Sequence, residues 1–259
     1  MKAICLWLLL ALALPAPGHA QELGVGIGAS RFSGRFGGTE RSEIDSVYIT
    51  ANASTRGWRL DATLPYLRVN GAGTIDIGGI IVPVDELGPS KGVGDLTVRV
   101  TRSALEPFNL PLNVAVAAQV KLPTGAAAVS TGSADGAFDV EISRDIDSFS
   151  PFLTIGYRVL GDLSYLPLKD GWSFSAGTGV TLGKIYINAS YDWSQAAAGG
   201  SADPQEVLLL AAGPLGICLS WSVLATKGLS SGAPDFGFGA GITRSFGRKP
   251  FRPTFRPRL

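Results

Sequence analysis

The chain alternates. In "KIYINASYDW", residues 184–193, Lys, Tyr, Asn, Ser and Asp fall on one side and Ile, Ile, Ala, Tyr and Trp on the other. A period of two is the mark of a strand with two unlike faces. Segments of this kind recur along the chain, separated by clusters of Gly, Pro, Asp and Ser. They predict twelve strands: 22–32, 43–54, 57–69, 92–103, 111–122, 136–145, 149–160, 171–182, 184–194, 204–212, 216–227 and 234–246. Eleven residues at about 3.3 Å each and a tilt near 40° rise roughly 28 Å, close to the apolar band of an outer-membrane barrel. Strands of soluble domains are typically half as long.

The connections alternate too. Those after the odd strands are long, such as "SGRFGGTERS" and "PTGAAAVSTGSAD", whereas those after the even strands are mostly tight, such as "TR", "IDS" and "GPLG". Long loops on one rim and short turns on the other are expected of an outer-membrane barrel. Both ends of the barrel domain then lie on the short-turn, periplasmic side. The apolar run "VLLLAAGPLGICLSWSVLA", residues 207–225, has the length of a membrane helix. Its central Gly213-Pro214, followed by Gly216 and alternating Ser220 and Ser222, predicts a hairpin instead.

Which face meets lipid is decided by cost. A set of polar positions lies opposite the apolar ones, and we assign it to the lumen: Arg59, Asp61, Asp95, Arg99, Gln119, Lys121, Asp139, Glu141, Arg158, Lys184, Asn188 and Asp192. Turned toward hydrocarbon, each Arg or Lys near the midplane would cost about 2–4 kcal/mol. A soluble barrel with the apolar face inside would have an outer surface poor in charge. The mean hydropathy of +0.25 and the 17% of charged residues fit a wall in lipid better. Trp58 near a turn-side end, with Trp172 and Trp193 near loop-side ends, fits interfacial anchoring; Trp221 does not, because it falls near mid-strand. The lumen set carries both signs in comparable numbers. It therefore predicts either a water-filled path with no preference for ion sign or an interior closed by ion pairs.

The first twenty residues, "MKAICLWLLLALALPAPGHA", read as an export signal: Lys2, an apolar stretch to about Leu14, then small Gly18 and Ala20. Residues 21–246 form the barrel in this division, and 247–259 a basic, Pro-containing tail with Arg248, Lys249, Arg252, Arg256 and Arg258. Removing the signal takes away His19, the single histidine, and leaves one thiol, Cys218. Histidine-dependent hydrolysis and His-ligated zinc then have no residues to build on, so no enzyme and no cofactor are expected. The mildly acidic body disfavours nucleic acid. Outer-membrane lipid and a small solute are the expected partners, and the tail could touch a periplasmic component. "GVGIG" at Gly24 lies within a strand pattern and is not a nucleotide loop. Asp145 and Asp147 are the one calcium candidate, with plain solvation as the ordinary alternative.

Several segments together carry a family likeness: "LPYLRVNGAG", "GVGDLTVRV", "VKLPTG", "PFLTIGYRVLGD", "ASYDWSQAAAGGSADPQE" and "TKGLSSGAPDFGFGAGITRSF". Over residues 60–246 the chain resembles bacterial outer-membrane barrels assigned to transport and related to the "MetA-pathway of phenol degradation" group. The resemblance implies an all-β, antiparallel up-and-down transmembrane barrel in the outer membrane that acts as a passive channel for small solutes. The alternative is a closed structural or surface-interaction barrel without transport. For the channel, the loop from Asn70 to Lys91, with "TIDIGGIIVPV", is the expected filter, either folded inward as a plug or lying against the rim.

Overall fold

In the computed structural model, residues 22–247 are described, apart from 39, 56, 72, 78–79, 85–88, 106–111 and 162–167. The signal and the basic tail lie outside the described residues. The strands are β1 (Glu22–Gly34), β2 (Ser42–Thr55), β3 (Trp58–Asn70), β4 (Gly73–Ile77), β5 (Ile80–Val84), β6 (Ser90–Val93), β7 (Leu96–Leu105) and β8 (Asn113–Leu122). They continue as β9 (Asp135–Ser143), β10 (Phe149–Val159), β11 (Gly171–Leu182), β12 (Ile185–Ser194), β13 (Gln205–Pro214), β14 (Leu219–Gly228) and β15 (Phe236–Gly247).

β1 to β3 and β7 to β15 each pair antiparallel with their neighbours in the barrel, β3 joins β7 across the β4–β5 ribbon, and β15 pairs with β1 from Glu22↔Gly247 to Ser33↔Phe236, which closes the sheet. β6 and β7 share one position in the ring. β6 pairs with the loop end of β3 (Tyr66↔Val93) and β7 with its turn end (Thr63↔Thr97). The result is a closed barrel of twelve strand positions, as the periodicity predicts. The difference is the break at Gly94-Asp95, where the sequence reads as one strand. Two residues there interrupt the ladder, and such an irregularity re-aims side chains.

The face assignment follows from exposure. Ile27 is 59% exposed, Ile155 48% and Phe238 57%, while their alternating neighbours Thr154 and Gly237 are buried. Apolar side chains face outward because lipid, not water, is their solvent. Between the two rims the outer face carries no charge among the described residues: Val25, Ile27, Val47, Ile49, Leu153 and Ile155 are typical of it. Aromatics flank that band. Tyr66, Tyr157, Trp172 and Trp193 stand toward the loop rim, with the Tyr157 and Trp172 rings edge to face at 5.1 Å. Trp58 and Phe149 stand toward the turn rim. Trp221 joins them: β14 starts at Leu219, later than the sequence pattern indicates, so Trp221 is the third residue from the turn and serves the same interfacial role.

β13 and β14 form the hairpin expected from Gly213-Pro214. "GVGIG" lies within β1, and Cys218 is exposed in the β13–β14 turn. Gly73–Ile77 and Ile80–Val84 form a separate two-stranded ribbon, β4–β5, paired with each other and not with the barrel sheet. The side chains of that filter segment lie outside the described residues.

Candidate functional site: the inner wall

The inward positions divide into two arcs. Across β3 and β7–β10 the wall is charged. Arg59 and Asp61 pair at 2.7 Å, Arg99 reaches Asp139 at 2.7 Å, and Arg99 also donates to Gln119 Oε1 at 3.5 Å. At the loop end of β8, Lys121 is 2% exposed and lies between two carboxylates, Asp135 at 2.8 Å and Asp95 at 3.2 Å. Its ammonium also donates to Thr131 Oγ1 at 2.6 Å.

This cluster exists because of the break between β6 and β7. The Gly94 N–H is held by the Pro65 carbonyl at 2.8 Å, and Asp95 is buried. Its Oδ1 accepts from the Ser130 hydroxyl at 2.6 Å and the Gly125 N–H at 2.9 Å, both in the β8–β9 loop. Asp135 in turn accepts from the Gly161 N–H at 2.9 Å. Two buried carboxylates on one ammonium carry a net negative charge, and the surrounding N–H and O–H groups take up the excess. The β8–β9 loop is thereby tied to the mouth, and its Val129 packs inward with Phe32, Phe36, Ile44, Leu67 and Val69. Residues 123–134 thus form a loop anchored over the β6–β7 side of the mouth, in addition to the filter segment expected at 70–91.

The second arc, from β12 through β15 to β1 and β2, carries an apolar patch among inward polar positions such as Asn188, Asp192 and Glu206. Tyr186, Leu208, Leu210, Ala212, Leu224 and Phe32 form one buried cluster along it. Glycines make room for the rings. A Cβ at Gly28 would stand 2.4 Å from the Tyr48 ring, and one at Gly237 would stand 2.3 Å from the Phe32 ring. Those rings lie flat against bare backbone instead of projecting across the lumen.

The remaining assigned residues are placed as follows. Glu141 accepts from Thr154 Oγ1 at 3.5 Å, and Arg158 donates to the Gln195 carbonyl at 2.7 Å. Asn188 donates to the Thr178 carbonyl at 3.5 Å, and Asp192 accepts from Ser190 Oγ at 2.8 Å. Lys184 is the exception. It sits exposed in the Gly183-Lys184 turn, outside β12, because that strand begins at Ile185. A residue in a two-residue turn projects from the rim and does not belong to the wall.

Three inward carboxylates were not assigned from sequence. Asp135 is the first residue of β9, one position before the predicted start. Glu206 and Glu22 are near strand ends, with Glu206 accepting from Thr226 Oγ1 at 2.7 Å. Their cross-strand register was the missing signal. Including them, and Asp95 at the break, the described inner wall carries eight carboxylates against the four cations Arg59, Arg99, Lys121 and Arg158. The balance of signs expected from sequence is therefore replaced by an acidic wall. Asp145 accepts from Ser150 Oγ at 2.6 Å and from Asn113 at 3.2 Å, and no group of three metal-ligating side chains gathers among the described residues.

No family model and no curated protein matches the chain. Solved barrels do. The KdgM porin is 10% identical and aligns over 86% of this chain and 99% of its own, with a TM-score of 0.51; one of its structures is a complex with disordered oligogalacturonate. The transport unit of the autotransporter AIDA-I from Escherichia coli is 10% identical over 94% of this chain and 96% of its own, with a TM-score of 0.50. At that identity the likeness establishes the transmembrane barrel fold alone.

Proposed function

We propose that this barrel is an outer-membrane channel through which small solutes diffuse passively, and that it favours neutral or cationic molecules over anions. The observation that carries the proposal is the inner wall, with eight carboxylates and four cations facing a closed lumen, set against an outer band without charge. Rings of carboxylates raise the local concentration of cations and repel anions. The motif likeness to the "MetA-pathway of phenol degradation" group supports transport without naming a solute. A polyanion such as the oligogalacturonate bound to KdgM does not suit an acidic wall.

The test is conductance of the purified full chain in a planar bilayer under a salt gradient. Steady current steps with a reversal potential of cation-selective sign support the proposal, and an anion-selective sign overturns it. Persistent silence favours the second reading, a closed scaffold, for which the Lys121 cluster and inward Val129 speak directly. Deleting residues 74–84 separates the two placements of the β4–β5 ribbon, since unchanged conductance rejects the plug. In the scaffold reading, the basic tail at 247–259 is the element that would contact a periplasmic partner.

A further inference from the structure

The outer face carries one charged row that the channel does not use. Cross-strand register aligns Arg31 on β1, Asp45 on β2, Arg68 on β3 and Lys91 on β6. Asp45 is committed to Arg31, with Nε to Oδ1 at 2.6 Å and Nη2 to Oδ2 at 3.1 Å, and Glu43 lies 3.8 Å from the same guanidinium. Arg68 and Lys91 stand directly opposite one another, both exposed, with no carboxylate or ring partner among the described residues. Like charges directly opposite on adjacent strands are destabilising.

Tyr66 and Val93, two residues inward along the same strands, belong to the exposed apolar face, so the two cations stand just beyond the band, on the side of the long loops. Three other cations on this face are engaged: Arg102 lies over the Trp58 ring at 5.2 Å, Arg244 over Phe246 at 5.1 Å, and Arg41 is paired with Asp235, while Lys227 stands alone on β14 with no second cation opposite it. We propose that the adjacent Arg68 and Lys91 at the loop-side edge of the apolar band, neither of them in an ion pair, form a binding site for a phosphate group of the outer-leaflet glycolipid, lipid A. A phosphate spanning two cations opposes their repulsion, and a guanidinium holds phosphate oxygens through paired hydrogen bonds. The site rests on the outer-membrane placement proposed above, in which the long loops face outward.

The experiment uses the full chain in detergent with purified lipid A as the probe, either bearing its phosphates or stripped of them, and reads lipid retention by native mass spectrometry. The wild type is expected to retain the phosphorylated form. The double variant R68Q/K91Q is expected to lose at least about tenfold in retention, the worth of one charge-assisted contact, while R244Q on the opposite rim retains lipid as the wild type does. Equal retention by the double variant, or equal retention of the stripped lipid by the wild type, would overturn the site. Conductance of the same preparations in plain phosphatidylcholine bilayers keeps the two proposals apart. A silent wild type fails the channel and leaves the lipid result readable. A conducting double variant that has lost lipid A supports the site on its own.

Discussion

The two arcs of the inner wall solve the same problem by opposite means. Around β7–β10, where lumen positions are ionic, the wall is held by partners: Lys121 with Asp95 and Asp135, and Arg99 with Asp139. Across β15, β1 and β2 it is held by shape, with Tyr48 and Phe32 laid over Gly28 and Gly237. Ionic contacts are strong but leave a large penalty when one member is lost, whereas packed rings lose in proportion to the volume disturbed. The two arcs should therefore fail differently.

The largest effect is expected on the ionic side. Lys121→Met leaves two carboxylates buried together and should cost about 3–5 kcal/mol, read as urea unfolding in lipid vesicles by tryptophan fluorescence. Adding Asp95→Asn and Asp135→Asn to the same chain should recover most of that loss; no recovery would mean that Lys121 matters through packing rather than charge. Next comes the shape side. Gly237→Leu forces the Phe32 ring off the wall and should cost about 1–3 kcal/mol, with a change in conductance because the ring must enter the lumen. A variant as stable and as conductive as the parent would refute the role given to the glycine backbone beneath the Phe32 ring. Smaller again is Asp139→Asn, which keeps an acceptor for Arg99 and should cost about 1 kcal/mol. Its clearer sign is a reversal potential moved toward zero, since one wall carboxylate is gone. Lys184→Gln should change neither conductance nor stability beyond about 0.5 kcal/mol, because the side chain lies in an exposed turn. A shift in ion preference there would return Lys184 to the lumen.

Much of this was readable from the amino-acid order because lipid enforces a period of two with little tolerance. Ile185 and Ile187 had to face one way and Asn188 the other, and the alternation carried strand number, closure and loop asymmetry with it. Reading failed where that contrast vanished. β13 is apolar on both faces, so alternation could not tell that Leu208 and Leu210 point inward while Val207 and Leu209 meet lipid. It failed again at Asp95, where two residues interrupt the ladder and the counting rule slips. Asp135 was missed by one position at a strand start, a place where period alone carries no boundary. These misses share a cause: ion pairs across strands depend on register, which a single sequence does not display.

The closing seam of β1 and β15 has a further implication for how the molecule comes into being. Its twelve paired positions, Glu22↔Gly247 through Ser33↔Phe236, join segments separated by nearly the whole of the barrel. Until the last segment arrives, the first has an open edge, and an open edge in hydrocarbon costs several kcal/mol for each unmet N–H or C=O. Partial barrels therefore have no stable home in the bilayer. Biogenesis must either wait for a finished polypeptide or rely on a helper that lends a temporary edge of its own.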